Sequence, residues 1–134
     1  MIVVDNSVIC GFVIPSDAYH VHAVACRDRD PNWHAPFLSR TEFRSVAAGY
    51  LRKAEPLATL MAAGALATLS VQAHHLTDAE VFSVLGASSL SAYDAEYVAL
   101  AQRLNCQLIT TDKEVLKAYP GLAIRLADYA AGRL

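Results

Sequence analysis

Apolar positions along the chain fall into two alternating patterns: short unbroken runs, and longer stretches where they recur every three or four residues. Ile2-Val3-Val4 is a β-branched run that fits a strand covered on both faces. Trp33 to Phe37, Val71 to Leu76, Leu108 to Thr111 and Ala123 to Leu126 read as further short strands. Between them lie helical patterns. Val8 to Ile14 is a short apolar helix, and Pro15-Ser16-Asp17 breaks it and caps a second helix running to about Asp28. Ser39-Arg40-Thr41-Glu42 has capping-box spacing and opens a helix to about Lys53, with Phe43, Val46, Ala47, Tyr50 and Leu51 inward. An Ala-rich helix follows Pro56; Thr77 to Glu80 starts another, running to about Leu85 and ended by Gly86. Tyr93, Tyr97, Ala101 and Leu104 form the apolar stripe of a helix that Ser91 opens and Asn105 ends. Lys113 to Tyr119 is a last short helix, stopped by Pro120-Gly121. Helices alternating with short apolar strands predict an α/β fold with a parallel sheet.

Length and composition narrow this picture. The 134 residues suit one domain, 1–134, and 54% hydrophobic against 18% charged residues describes a globular chain. A net charge of -2 carries no basic signature, so a nucleic-acid partner must be held by local basic groups or by metal. Cys10, Cys26 and Cys106 are far apart and form no CxxC pair, which predicts buried free thiols in a reducing cytoplasm. Asp5 interrupts the N-terminal apolar run with no basic segment before it, so no signal peptide is expected. No acid, lysine or arginine lies between Glu55 and Asp78, yet the run is rich in Ala, Thr and Gly and too short in its apolar part for a membrane span. A buried or interface helix is the reading, and its small residues would let a second copy approach closely. His20 and His22 point to different sides of a helix, and His74-His75 are adjacent, so neither pair marks a zinc site.

Four acids stand at element boundaries: Asp5, Glu42, Asp94 and Asp112. Asp5 and Asp112 end the two clearest strands, and in parallel α/β sheets ligands bind beyond the carboxyl ends of strands. Glu42 and Asp94 lie in first turns of helices that can reach the same edge. Converging carboxylates repel unless protons or a cation intervene, and Mg²⁺ or Mn²⁺ suits an all-oxygen donor set. Each acid also has a plain structural role open to it, as helix N-cap or first-turn residue. Spacing alone leaves both readings standing.

MIVVDNSV, PFLSRTEFRSV, LSAYDAEYVALAQRL and LITTDKE resemble, in order and over essentially the whole chain, the four acidic motifs of the PIN-domain nucleases. Within that family they resemble the small toxins of VapBC toxin–antitoxin pairs. YDAEYVALA with LITTD is the most specific part. The resemblance implies a three-layer fold with a central parallel sheet flanked by helices. It implies a Mg²⁺- or Mn²⁺-dependent endoribonuclease, a cytoplasmic homodimer with an RNA substrate, inhibited by a cognate antitoxin on a separate chain. Asp5, Glu42, Asp94 and Asp112 match the family's catalytic acids, with Asp5, Asp94 and Asp112 as metal ligands and Glu42 acting through water or a second ion. Ser7 and Thr110 match the hydroxyl residues that orient those carboxylates. Arg40, Arg44 and Lys113, near motif acids in sequence, are candidates for RNA phosphate contacts. Ser45 departs from the Asn the family often has three residues past the second acid, and Glu96 and Glu114 read as solvated helix charges. A PIN-like module that binds RNA or protein without cutting is the runner-up, disfavoured by the intact set of acids. A phosphatase with a strand-end Asp nucleophile is disfavoured because Ser7 stands where a second Asp is required.

Overall fold

The computed structural model describes residues 1–53 and 56–133. Each run expected as a strand forms one. β1 (Ile2–Val4), β2 (Trp33–Pro36), β3 (Val71–His74), β4 (Leu108–Thr110) and β5 (Ala123–Arg125) make a sheet in the order β3-β2-β1-β4-β5. All four pairings are parallel, with Ile2 opposite Trp33 and Val3 opposite Leu108. The central strands β1, β2 and β4 are buried along their whole length, so the sheet needs cover on both faces.

Helices supply that cover. They are α1 (Asn6–Val13), α2 (His20–Arg29), α3 (Ser39–Arg52), α4 (Pro56–Thr68), α5 (Asp78–Ala87), α6 (Ala92–Leu104), α7 (Lys113–Ala118) and α8 (Leu126–Ala130). α1, α2 and α8 pack together, α3 and α4 pair against α1, and α5 with α6 forms a separate layer in which α6 lies on β1, β2 and β4. This is the three-layer α/β arrangement expected. Residue Glu55, where the uncharged stretch begins, lies outside the described residues. Among the described residues no helix is long and apolar enough to cross a membrane.

Helix ends follow local chemistry, with several departures from the sequence reading. Thr77 and Glu80 form a true capping box, with Thr77 N donating to Glu80 Oε1 (3.0 Å) and Glu80 N to Thr77 Oγ1 (3.2 Å). Arg103 of α6 then grips Glu80 at 2.6 Å and ties α5 to α6. Gly86 does not end α5: the helix continues to Ala87, and Ser88 closes it with its Oγ donating to Val84 O (2.8 Å). Asn105 does end α6, in the left-handed conformation that its short amide side chain tolerates (φ 49°). The expected Ser39–Glu42 box is absent, because Ser39 is already inside α3 and Leu38 at its start makes no side-chain cap. α2 starts at His20, after a turn over residues 15–19.

The stripes also shift. α3 packs mainly on α1 and α4, and Phe43 is buried while Val46 and Leu51, expected inward, are 36% and 58% exposed. On α6 the core positions are Ala95, Tyr97, Val98, Ala99, Leu100 and Ala101, and Tyr93 stays 66% exposed. That assignment predicts opposite outcomes for two truncations. Leu100→Ala should lose about 2–5 kcal/mol in urea unfolding through cavity formation, whereas Tyr93→Ala should stay within about 0.5 kcal/mol of the parent. A Tyr93 effect as large as that of Leu100 would contradict the α6 packing.

Candidate active site

β1 and β4 are neighbours running the same way, so the residues just past their carboxyl ends share one edge of the sheet. Asp5 follows β1 directly, its amide donating to Ile109 O (3.1 Å), and Asp112 lies two residues past the end of β4. α3 and α6 begin at the same edge and carry Glu42 and Asp94 in their first turns. All four expected acids line one cleft of about 430 Å³. Asn6, Ser7, Cys10, Asp17, Tyr19, Val46, Tyr97 and Thr111 complete its wall.

Asp5 is both helix cap and cleft residue. Its Oδ1 accepts from Val8 N (3.2 Å), capping α1, and also from Ser7 Oγ; its Oδ2 accepts from Thr110 Oγ1. Thr111 Oγ1 donates to Ser7 Oγ (2.8 Å), and Thr110 Oγ1 accepts from Asp112 N (3.0 Å). A hydroxyl chain therefore links the β1 and β4 ends through one carboxylate, with Ser7 and Thr110 as its two side-chain donors. Asp112 caps α7 with Oδ1, which accepts from Glu114 N (2.8 Å) and Val115 N (3.2 Å). Glu42, with no capping partner, instead accepts through Oε1 from Tyr97 Oη (2.6 Å) on α6. Asp94 has its amide fixed by Ser91 Oγ (3.2 Å), so the Ser91 side chain, not the Asp94 carboxylate, caps α6.

The charges are in tension. Burial pushes the Asp5 carboxyl up, the Ser7, Thr110 and Val8 donors oppose this, and the Asp112 charge adds to it. Burial also raises Glu42, opposed by the Tyr97 hydroxyl and reinforced by Asp5, Asp94 and Glu96. Asp94 is raised by burial and then by Asp112. Tyr97, buried and bonded to Glu42, is held far above its ordinary range and stays a neutral donor. Burial pushes the Cys10 thiol up to about 12, so it is no nucleophile at neutral pH.

A hard divalent cation would relieve the mutual repulsion of these oxygen donors. Among the described residues no three His, Cys, Asp or Glu side chains stand close enough to cage an ion by themselves. Mg²⁺ keeps several waters and takes one or two carboxylates directly, so the all-oxygen donor set of the cleft can hold it without a closed cage of side chains. The residues present fit such an ion.

Other expectations are placed elsewhere. Among the described residues no Lys or Arg lines the cleft. Arg40 sits 5.5 Å from the Phe37 ring centroid and lines a separate apolar pocket with Ile9, Phe43 and Leu66, while Arg44 and Lys113 are exposed and are not among the lining residues of the cleft. Ser45 and Glu114 are exposed, and Glu96 is half-buried without lining the cleft. Tyr97 was read only as part of an apolar stripe; its position three residues after Asp94, on the same helix face, was the available signal. Thr111, Asp17 and Tyr19 were missed, the last two because nothing local tells where the turn over residues 15–19 docks.

The PIN domain family model matches residues 2–122, and the chain belongs to that family, whose members are generally divalent-metal-dependent nucleases. Among solved structures, PAE2754 from Pyrobaculum aerophilum is similar with a TM-score of 0.75 and 20% identity, covering 98% of this chain and 93% of its own. VapC20 of Mycobacterium tuberculosis, a sarcin–ricin loop cleaving toxin, is similar with a TM-score of 0.64 and 18% identity, covering 88% of this chain and 95% of its own. At these identities the likeness is one of fold. A comparison with curated proteins found no sequence match.

The raised carboxyls set the sign of a pH effect. Groups whose folded pKa lies above the unfolded value stabilise the fold below the unfolded value and lose that contribution as pH rises through the folded one. Asp94→Asn, measured without divalent ions, should therefore raise Tm at about pH 7.5 by about 1–3 °C, Asp94 being partly exposed, and by less at about pH 4.5. A drop in Tm at the higher pH would show that Asp94 is stabilised by its surroundings instead.

Proposed function

We propose that this protein is a Mg²⁺- or Mn²⁺-dependent endoribonuclease acting as the toxin of a VapBC-like toxin–antitoxin pair. The observation that carries the reading is the convergence of Asp5, Glu42, Asp94 and Asp112, from four separate segments, in one cleft where their charges strain against one another. Family membership supports nuclease chemistry, and the fold likeness to a VapC toxin supports the toxin reading.

In this reading Asp5, Asp94 and Asp112 would hold the metal, one or two directly and the rest through its waters, and the ion would supply an activated water and stabilise the charge that develops on the phosphate. Ser7 and Thr110 keep the Asp5 oxygens aimed by donating to them, and the Asp112 backbone is fixed through Thr110 Oγ1. Tyr97 donates to Glu42 Oε1 and leaves Oε2 to take a proton from the attacking water, a task its raised pKa suits. Cleavage is then a hydrolysis at phosphorus with no covalent enzyme intermediate.

The antitoxin is a separate chain, and the protein works in the cytoplasm as a homodimer. Leu51 (58% exposed) on α3 and Met61 (57%) on α4, two helices that pack together, are the apolar side chains we assign to contact with a second copy.

The test is cleavage of total RNA by purified protein with Mg²⁺, with Mn²⁺ and with EDTA, beside Asp5→Asn and Asp94→Asn. Discrete metal-dependent fragments, reduced at least about 100-fold in both variants, are the expected result. Cleavage that survives EDTA or both substitutions would sink the mechanism. Loss of all cleavage in the parent, with divalent ion still bound, would favour a binding module instead.

A further inference from the structure

We propose that Tyr19 is the base-stacking residue of the acidic cleft, holding the base beside the scissile phosphate. This rests on the nuclease reading and names a residue that holds its substrate.

The wall of the cleft poses a problem for an RNA. Asp5, Asp17, Glu42, Asp94 and Asp112 all line it, and among the described residues no Lys or Arg does. Phosphate contacts are the usual means of holding a nucleic acid, and this wall repels them wherever no cation intervenes. An aromatic face carries no such penalty. Stacking holds a base whatever its sequence and without a basic partner, because every base has a π-face.

Two aromatic side chains line the cleft among the described residues. Tyr97 is 4% exposed and its hydroxyl is committed to Glu42. Tyr19 is 43% exposed and so available to a ligand. Val46 of α3, 36% exposed against the sequence expectation, lines the same cleft as a second apolar surface. An aromatic and an aliphatic side chain in one cleft are the elements from which pockets for extruded bases are built.

The turn that carries Tyr19 is seated, not loose. Gly11 of α1 permits its approach: a Cβ there would meet Tyr19 Cβ at 3.2 Å, with Tyr19 O and Ala23 Cβ both at 3.4 Å. His20 Nδ1–H donates to Gly11 O (2.8 Å), and Asp17 Oδ1 accepts from Tyr19 N (2.8 Å). Asp17 N donates to Ile14 O (3.0 Å), closing the turn onto the end of α1. The helix capped by Asp5 thus also seats the backbone and Cβ of Tyr19, so the acid and the turn that carries the ring are anchored on one helix. Gly11 and His20 are positioning residues in this scheme, acting through the turn.

The test uses the full chain, an unstructured RNA oligonucleotide spanning a cleavage position mapped in total RNA, the same strand made abasic beside the scissile phosphate, and the same strand in a duplex. Tyr19→Ala should lower kcat/KM roughly 10- to 100-fold, mainly through KM, with unchanged circular dichroism. Tyr19→Phe should recover most of that loss, and Gly11→Ala should reproduce part of it by displacing the turn. The abasic strand should cost the parent protein a similar factor and Tyr19→Ala almost nothing further, since both remove the same contact. The duplex should be cut poorly. Parent-like cleavage by Tyr19→Ala, or losses from the variant and the abasic strand that simply multiply, would overturn the assignment. A parent protein that cleaves no RNA overturns the nuclease reading along with it, and is recognised because failure then occurs with Tyr19 intact.

Discussion

The carboxylate of Asp5 is the joint on which the site depends. It ends the central strand, caps the helix that follows, and receives hydroxyls from two sides, Ser7 from its own turn and Thr110 from the neighbouring strand. Thr110 is buried, and its oxygen in turn accepts from the Asp112 amide. One side chain therefore sets the relation between the ends of β1 and β4. Because the two strands are parallel neighbours, that relation places two acids on one edge without any long-range loop geometry. α3 and α6 need only begin at that edge to bring Glu42 and Asp94 in.

This architecture sets local stability against chemistry. Hydrogen bonds to ionised carboxylates are among the stronger ones, yet Asp5, Glu42 and Asp94 are all pushed above their ordinary pKa values, because burial and mutual repulsion outweigh the donors. The remainder of the chain supplies the compensation: central strands covered on both faces, and an α6 buried over much of its length. Such strain at a cleft, on a scaffold that is otherwise closely packed, is the usual mark of a functional site.

Much of this was legible in the sequence for a simple reason. β-branched runs and helical periodicity report burial directly, and burial decides a parallel sheet. The acids were legible because they stand at element boundaries, where cap and ligand roles look alike; Asp5 and Asp112 turn out to serve as caps while lining the cleft. What was not legible depended on distant partners. Ser39–Glu42 and Thr77–Glu80 share one spacing pattern, yet only the second forms a capping box. α3 begins one residue early, and the Glu42 carboxylate is taken by Tyr97, 55 residues away. Val46 and Tyr19 escaped for a similar reason, since which helix face meets solvent and where a turn docks are set by α1, through Gly11 and the narrow contact of α3.

The central claim is that hydroxyl support of Asp5 prepares the cleft for a divalent ion. Calorimetric titration of Mn²⁺ into Thr110→Val and the parent protein tests it most directly, because valine keeps the buried shape and removes the one hydroxyl that donates to Asp5 and accepts from the Asp112 amide. Saturable binding in the parent, weakened about 10- to 100-fold in the variant, is the predicted result. Equal affinity in the two proteins, or no saturable binding in the parent, would contradict it.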